Sequence, residues 1–248
     1  MTYSDYPKGP VGEEPVEDAG FFTRWMWVYF SPRRAFEAVA RRPGWVAPFI
    51  LLIVLSAVAA QLAGPISQEY MAQRIEESDT LTEEQKQEAL ERFEGEESQI
   101  IKVGRVAGGG VVAGISLLIL GAILLFINNL ILGSSAKYGQ TLGAACYISL
   151  VWIPSWIIKT PLMLAQRTIH VPIGPAALLP PEMEGSLTWA LVSRLDLFGI
   201  WEVILACIAL SAIGAYSAKR ASAAVVPLWI VYGILVSVVT WFGFKQLG

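Results

Sequence analysis

The sequence predicts an all-α membrane protein: a bundle of five transmembrane helices with an N-terminal interfacial helix and an acidic extramembrane helical hairpin. Three observations carry this. Of the 248 residues, 54% are hydrophobic and 16% charged, against about 45–50% and about 25% in a soluble domain, and the mean hydropathy is +0.53. Five uncharged apolar runs are long enough to cross roughly 30 Å of hydrocarbon. None of them alternates in the way barrel strands do over about ten residues. One such run could be a buried helix of a soluble domain; five in a chain of this length argue against that. The rest of the composition narrows the function. A net charge of −3 gives no reason to expect a nucleic-acid partner. One histidine and two cysteines are too few for most metal centres or a disulfide framework, and no cofactor or metal is expected.

Residues 1–19 read as a disordered polar arm. Asp5, Glu13, Glu14, Glu17 and Asp18 are the opposite of a signal peptide's basic start, and Pro7, Pro10 and Pro15 interrupt it. Residues 20–45 form an aromatic and basic segment. Phe21, Phe22, Trp25, Trp27, Tyr29 and Phe30 crowd around Arg24, and Ser31-Pro32 then starts a helix with a good cap and a proline at its first turn. That helix is expected to run to about Arg42, where Pro43-Gly44 stops it. Phe36, Val39 and Ala40 share one face, with Glu37 and Arg41 paired on the other. The pattern suits a helix on the membrane surface, with Arg24, Trp25, Trp27, Arg33, Arg34, Arg41 and Arg42 as membrane-surface contacts. An ordinary aromatic belt that only fixes topology is the plainer alternative.

The membrane domain occupies residues 46–248, with spans read at about 46–63, 106–132, 141–158, 197–216 and 223–244. The second holds sixteen Val, Ile, Leu and Phe residues in 27, worth roughly 5–10 kcal/mol of insertion free energy. The extramembrane insert, 64–105, carries eleven acidic and five basic residues. Within it Thr82-Glu83-Glu84-Gln85 fits a capping box, so a helix should start there and stop near Gly95. A solvated hairpin is the plain reading; an acidic docking surface is the functional one. Between the third and fourth spans, Pro161, Pro172, Pro175, Pro180 and Pro181 punctuate a stretch around His170. Its Leu178, Leu179 and Trp189 suit packing back on the bundle.

Lysine and arginine divide nine to nine between the two faces that five spans create. Arg24, Arg33, Arg34, Arg41 and Arg42, close before the first span, place the N-terminus in the cytoplasm and the C-terminus opposite. The expected location is a multi-pass position in a membrane, the plasma (inner) membrane if the source is bacterial.

Few residues offer chemistry. Gly108-Gly109-Gly110-Val111-Val112-Ala113 loosely matches a dinucleotide fingerprint, but it sits inside an apolar run with no strand before it. Gly110 and Gly114 form a G-x-x-x-G that lets two membrane helices pack closely. Cys146 and Cys207 read as core thiols. No catalytic residue is expected, and the chain reads as non-enzymatic. Glu202 is the acidic residue well inside a span, where a carboxylate costs up to about 3 kcal/mol; such a residue is a functional candidate by default. The alternative is a group near the helix start, favoured by the helix dipole. With Asn128 and Asn129 it makes a candidate intramembrane polar site, although helix-to-helix hydrogen bonding would also explain the two asparagines.

Ser31-Pro32-Arg33-Arg34-Ala35-Phe36, ahead of Trp45, resembles the opening of the Yip domain family, bacterial type. So do Lys137-Tyr138-Gly139-Gln140-Thr141-Leu142 and Tyr147-Ile148-Ser149-Leu150-Val151-Trp152-Ile153-Pro154. Leu195-Asp196-Leu197-Phe198-Gly199-Ile200-Trp201, leading to Leu205 and Gly214, is similar to its fourth span. The resemblance covers roughly residues 20–245 and makes Pro32, Arg33, Phe36, Lys137, Tyr138, Pro154, Asp196 and Trp201 family-like positions. It implies a five-helix membrane bundle with a cytoplasmic N-terminus. Eukaryotic members are linked to vesicle traffic and Rab-type GTPases, so a GTPase partner enters by family analogy alone, since the short N-terminal arm has no docking motif. The expected function is a membrane scaffold or adaptor, in membrane organisation or trafficking. Its partners would be the lipid bilayer and a membrane protein or a second copy of the chain. The alternative is a small transporter or channel component using Glu202 and its polar neighbours, with Pro154 opening backbone carbonyls.

Overall fold

The computed structural model describes residues 19–76, 78, 81–94, 99–168 and 171–247. The arm up to residue 18, Gly95 and His170 lie outside the described residues. Among the described residues ten α-helices follow in order: α1 (Phe21–Phe30), α2 (Pro32–Arg41), α3 (Val46–Glu76), α4 (Glu83–Glu94), α5 (Gln99–Phe126), α6 (Tyr138–Ser149), α7 (Trp152–Gln166), α8 (Leu187–Val192), α9 (Leu197–Gly214) and α10 (Ala218–Leu247). Among the described residues there is no strand. Five helical stretches of the described residues are long and apolar enough to cross a membrane: Val46–Glu76, Lys102–Ile131, Tyr138–Gln166, Leu197–Gly214 and Ala218–Gly243.

The chain crosses more helix than its uncharged runs suggest. The first span reads as ending at about residue 63, yet α3 continues to Glu76, carrying Pro65 inside it. An exposed ion pair, Glu69–Arg167 at 3.1 Å, ties this extension to the end of α7. The insert is therefore the continuation of α3, then α4, then the start of α5. At Thr82 the expected box is present: Thr82 N–H donates to Gln85 Oε1 at 3.0 Å and Gln85 N–H to Thr82 Oγ1 at 3.3 Å. At its other end α5 loosens into a π-helical turn, Ile127–Ile131.

The centre of the bundle is α6. Every side chain from Thr141 to Ile148 is buried, as expected of a helix that is apolar all round. It is covered by α5, α9, α2, α3 and α1. The third span breaks at Leu150–Val151, between α6 and α7. Pro154 causes this: it has no N–H for the Leu150 carbonyl four residues back, and its ring crowds that carbonyl. Tyr29 of α1 fills the gap, its hydroxyl donating to Leu150 O at 2.8 Å. Burial holds the Tyr29 phenol above its ordinary pKa, with a hydrogen bond to the Trp25 side chain opposing, so the hydroxyl keeps its proton.

The Gly-rich span packs within the chain, against α3. A Cβ on Gly110 would lie 3.2 Å from Ile53 Cγ2, and one on Gly114 3.4 Å from Ile53 Cδ1. A Cβ on Gly109 would meet Ala60 Cβ at 2.6 Å, the tightest approach of the three. The segment between α7 and α9 folds back on α10, where the buried Ser237 hydroxyl donates to Ala190 O at 3.0 Å. Leu178, expected to be covered, is 87% exposed.

Candidate functional site

The hairpin of α1 and α2 is built into the bundle. Ala35, Phe36, Ala38 and Val39 of α2 are fully buried, and α2 packs on α9 and α6. The apolar face expected to rest on lipid is spent on protein. Gln140 at the start of α6 donates to Ala40 O at 2.6 Å, fixing the end of α2 at that level. Arg24, expected to reach headgroups, is buried instead. Its Nε donates to Ala19 O at 2.8 Å and its Nη1 to Arg42 O at 2.5 Å, and Tyr147 of α6 shares a side-chain hydrogen bond with it. The physical reason is that a guanidinium with several donors can satisfy the backbone carbonyls left at the two ends of a helical hairpin.

The other arginines stay outside. Arg33 is exposed and pairs with Glu37 at 3.0 Å, Arg34 stacks 4.7 Å from the Trp27 ring centroid, and Arg41 and Arg42 are exposed. Trp25 and Trp27 are half-buried against the core. On the outward face of α1, Phe22, Met26 and Phe30 are 72%, 55% and 76% exposed, four residues apart and so in one stripe.

The three intramembrane polar residues do not meet. Asn128, in the π-helical turn, is fully buried, and its Oδ1 accepts from the Tyr216 hydroxyl at 2.6 Å. Burial pushes the Tyr216 phenol up to about 12 against the lowering effect of Arg220, so it stays a donor. Asn129 brackets Ala136: its Nδ2 donates to Ala136 O at 3.0 Å, and its Oδ1 accepts from Ala136 N at 2.8 Å. Arg220 closes this end by donating to Leu132 O at 2.8 Å. Glu202 lies in the second turn of α9, whereas Tyr216 lies just past its end, so roughly 20 Å of helix separates the groups.

Around Glu202 a second polar group gathers. Glu202 lies near the Trp152 side chain and the Asp196 carboxylate. Asp196 caps α9, its Oδ1 accepting from Gly199 N at 2.7 Å. Its Oδ2 lies 3.7 Å from Lys159 Nζ of α7. Lys159 and Asp196 line a cavity of about 140 Å³ with Gly174, Trp189 and Ser193. Lys159 also lines an apolar cleft of about 380 Å³ between α3 and α7. Lys159 was not singled out in the sequence, although the signal was there: it ends the third uncharged run and Asp196 precedes the fourth, so both fall on one face of the membrane.

The family-like positions are mostly structural. Pro32 opens α2, and Phe36 is in the core. The Lys137 N–H donates to Gln140 Oε1 at 2.8 Å at the start of α6. Tyr138 donates to Leu118 O at 3.0 Å, and Trp201 packs on the core. Cys146 and Cys207 are buried free thiols.

Compared with known proteins, residues 26–240 match the family model of the Yip1 domain. No curated protein and no solved structure matches the chain.

Proposed function

The chain belongs to the Yip1 domain family, and from that premise we propose that this multi-pass membrane protein is a non-enzymatic scaffold or adaptor, acting in membrane organisation or trafficking. The observation that carries the reading is the α1–α2 hairpin. Its inner face is fixed on α6 and α9, while its outer face offers Phe22, Met26 and Phe30 beside the exposed Arg33. An apolar stripe at this spacing on a rigid support suits a helix of a protein partner, with the hairpin on the cytoplasmic side. Quantitative mass spectrometry of proteins co-purified from native membranes in mild detergent tests this. Wild type is expected to retain a stoichiometric protein partner. The double variant Phe22→Asp, Phe30→Asp should lose at least about tenfold of it, as for two central anchors of an interface. Wild type that recovers only itself and lipid would overturn the proposal.

One observation favours a second reading, a transporter or channel component. Glu202 lies near Trp152 and Asp196, and Asp196 in turn faces Lys159, an arrangement suited to passing a proton or small cation. Asn128 accepts from Tyr216 past the far end of α9 and Asn129 brackets Ala136, so this version rests on Glu202 without them. In proteoliposomes carrying an imposed pH gradient, this version expects proton flux from wild type that is abolished in Glu202→Gln. Flux equal to empty vesicles would sink it.

A further inference from the structure

Lys159 joins two spaces, one mixed and one largely apolar. On one side is a cavity of about 140 Å³, bounded by the segment between α7 and α9, in which Lys159, Ser193 and Asp196 supply polar groups among apolar side chains. On the other is the apolar cleft of about 380 Å³, lined by Ala59, Ala60, Ala63 and Ile66 of α3 and by Trp156 and Met163 of α7. The alanines of α3 make this room, since their side chains stop at Cβ.

The polar side has unused capacity of both signs. At 3.7 Å the Lys159–Asp196 pair is longer than the ~2.7–2.9 Å of a tight charged hydrogen bond. Asp196 Oδ1 is committed to the α9 cap, but Oδ2 is not. The Ser193 hydroxyl, which also lines the cavity, is buried without a hydrogen-bond partner. An ammonium, a hydroxyl and a carboxylate around one small space fit a ligand that carries a negative and a positive group together. A purely anionic head would satisfy Lys159 but face the Asp196 carboxylate. A soluble zwitterion would leave the apolar cleft unused.

We propose that cavity and cleft together bind one membrane phospholipid with an ammonium-bearing headgroup: its phosphate on Lys159 and Ser193, its ammonium on Asp196, and an acyl chain in the α3–α7 cleft. This site is independent of the α1–α2 surface, so it stands or falls apart from the scaffold reading.

The test is native mass spectrometry of the full chain, delipidated by detergent exchange. Three probes are added: phosphatidylethanolamine, phosphatidylglycerol with the same acyl chains, and soluble glycerophosphoethanolamine. Wild type is expected to retain one phosphatidylethanolamine per chain, about tenfold over phosphatidylglycerol and over the soluble headgroup. Lys159→Met should lower retention of both lipids about tenfold. Asp196→Asn keeps a capping oxygen for Gly199 N and removes only the charge, so it should abolish the preference between the two lipids. Ala63→Phe fills the cleft without touching a charge and should reduce lipid retention as Lys159→Met does. Equal retention of the two lipids by wild type would overturn the proposal. So would soluble headgroup bound as well as lipid, or retention unchanged in both Lys159→Met and Ala63→Phe.

Discussion

Gly109→Ala is expected to destabilise the bundle by roughly 1–3 kcal/mol, the usual cost of overpacking a close contact, and Gly109→Leu by more. The added carbon would stand 2.6 Å from Ala60 Cβ, 3.2 Å from Ser56 O and 3.6 Å from Ala57 Cα. None of these is the end of a flexible side chain, so α3 and α5 must separate. The loss extends along the seam, because Gly110 and Gly114 lie on the same contact and membrane helices gain their association from such close packing. The paired change Gly109→Ala with Ala60→Gly moves the methyl group across the seam and should recover most of the loss, a coupling that a double-mutant cycle reads directly. Gly108→Ala is the control. Nothing lies within 4 Å of its added carbon, and replacing a helical glycine favours the helix by up to about 1 kcal/mol. Thermal unfolding in one detergent compares all four; equal behaviour of the Gly108 and Gly109 variants would disprove the account.

The same glycines show what a sequence pattern can reveal. The G-x-x-x-G spacing correctly points to close helix packing, since spacing fixes which residues share a face. It selects Gly110 and Gly114, whereas the tightest approach is at Gly109, because the rotation of α5 against α3 is set by the partner's side chains. The five spans were legible for a similar reason: hydrocarbon thickness imposes a length that composition records. Their ends were not. The first span reads as ending at about residue 63, but α3 continues through Pro65 to Glu76 with support from the α7 end at Arg167. Likewise α1 has no clear helical period, since its aromatics lie on several faces. Tertiary contacts of Phe21 with Tyr147, 6.3 Å between ring centroids, and of Tyr29 with Leu150 hold it in place.

Side-chain roles were less legible still. Glu202, Asn128 and Asn129 look alike in a span-by-span reading, as polar groups in apolar runs. Chain direction separates them, since Asn128 closes one span near the face where α9 ends and Glu202 stands near the face where α9 begins. Arg24 looks like its arginine neighbours in sequence, and only the closing of the α1–α2 hairpin buries it. Lys159 and Asp196 could have been paired from topology, because any five-span arrangement puts the end of the third span and the start of the fourth on one side.

Phe36→Ala is expected to free the hairpin. The side chain is fully buried, and removing a buried phenylalanine costs about 3–5 kcal/mol. Because α2 has only ten residues and rests on four fully buried side chains, that loss falls on a local unit that can open before the bundle melts. Trypsin should therefore cleave after Arg33, Arg34 and Arg41 much faster than in wild type, while the main thermal transition moves less. Arg33→Ala breaks only an exposed pair with Glu37, worth about 0.3–0.5 kcal/mol on a helix, and should leave hairpin opening and cleavage after Arg34 and Arg41 unchanged. Equal protection of the hairpin in Phe36→Ala and wild type would show that α2 does not depend on its inner face. The variant also bears on the scaffold proposal, since it leaves Phe22, Met26 and Phe30 chemically intact. A partner that needs those side chains on a fixed support should be lost from Phe36→Ala as it is from the stripe variant. A partner still retained would have to recognise α1 free of the bundle, which places the recognition in the segment's own sequence.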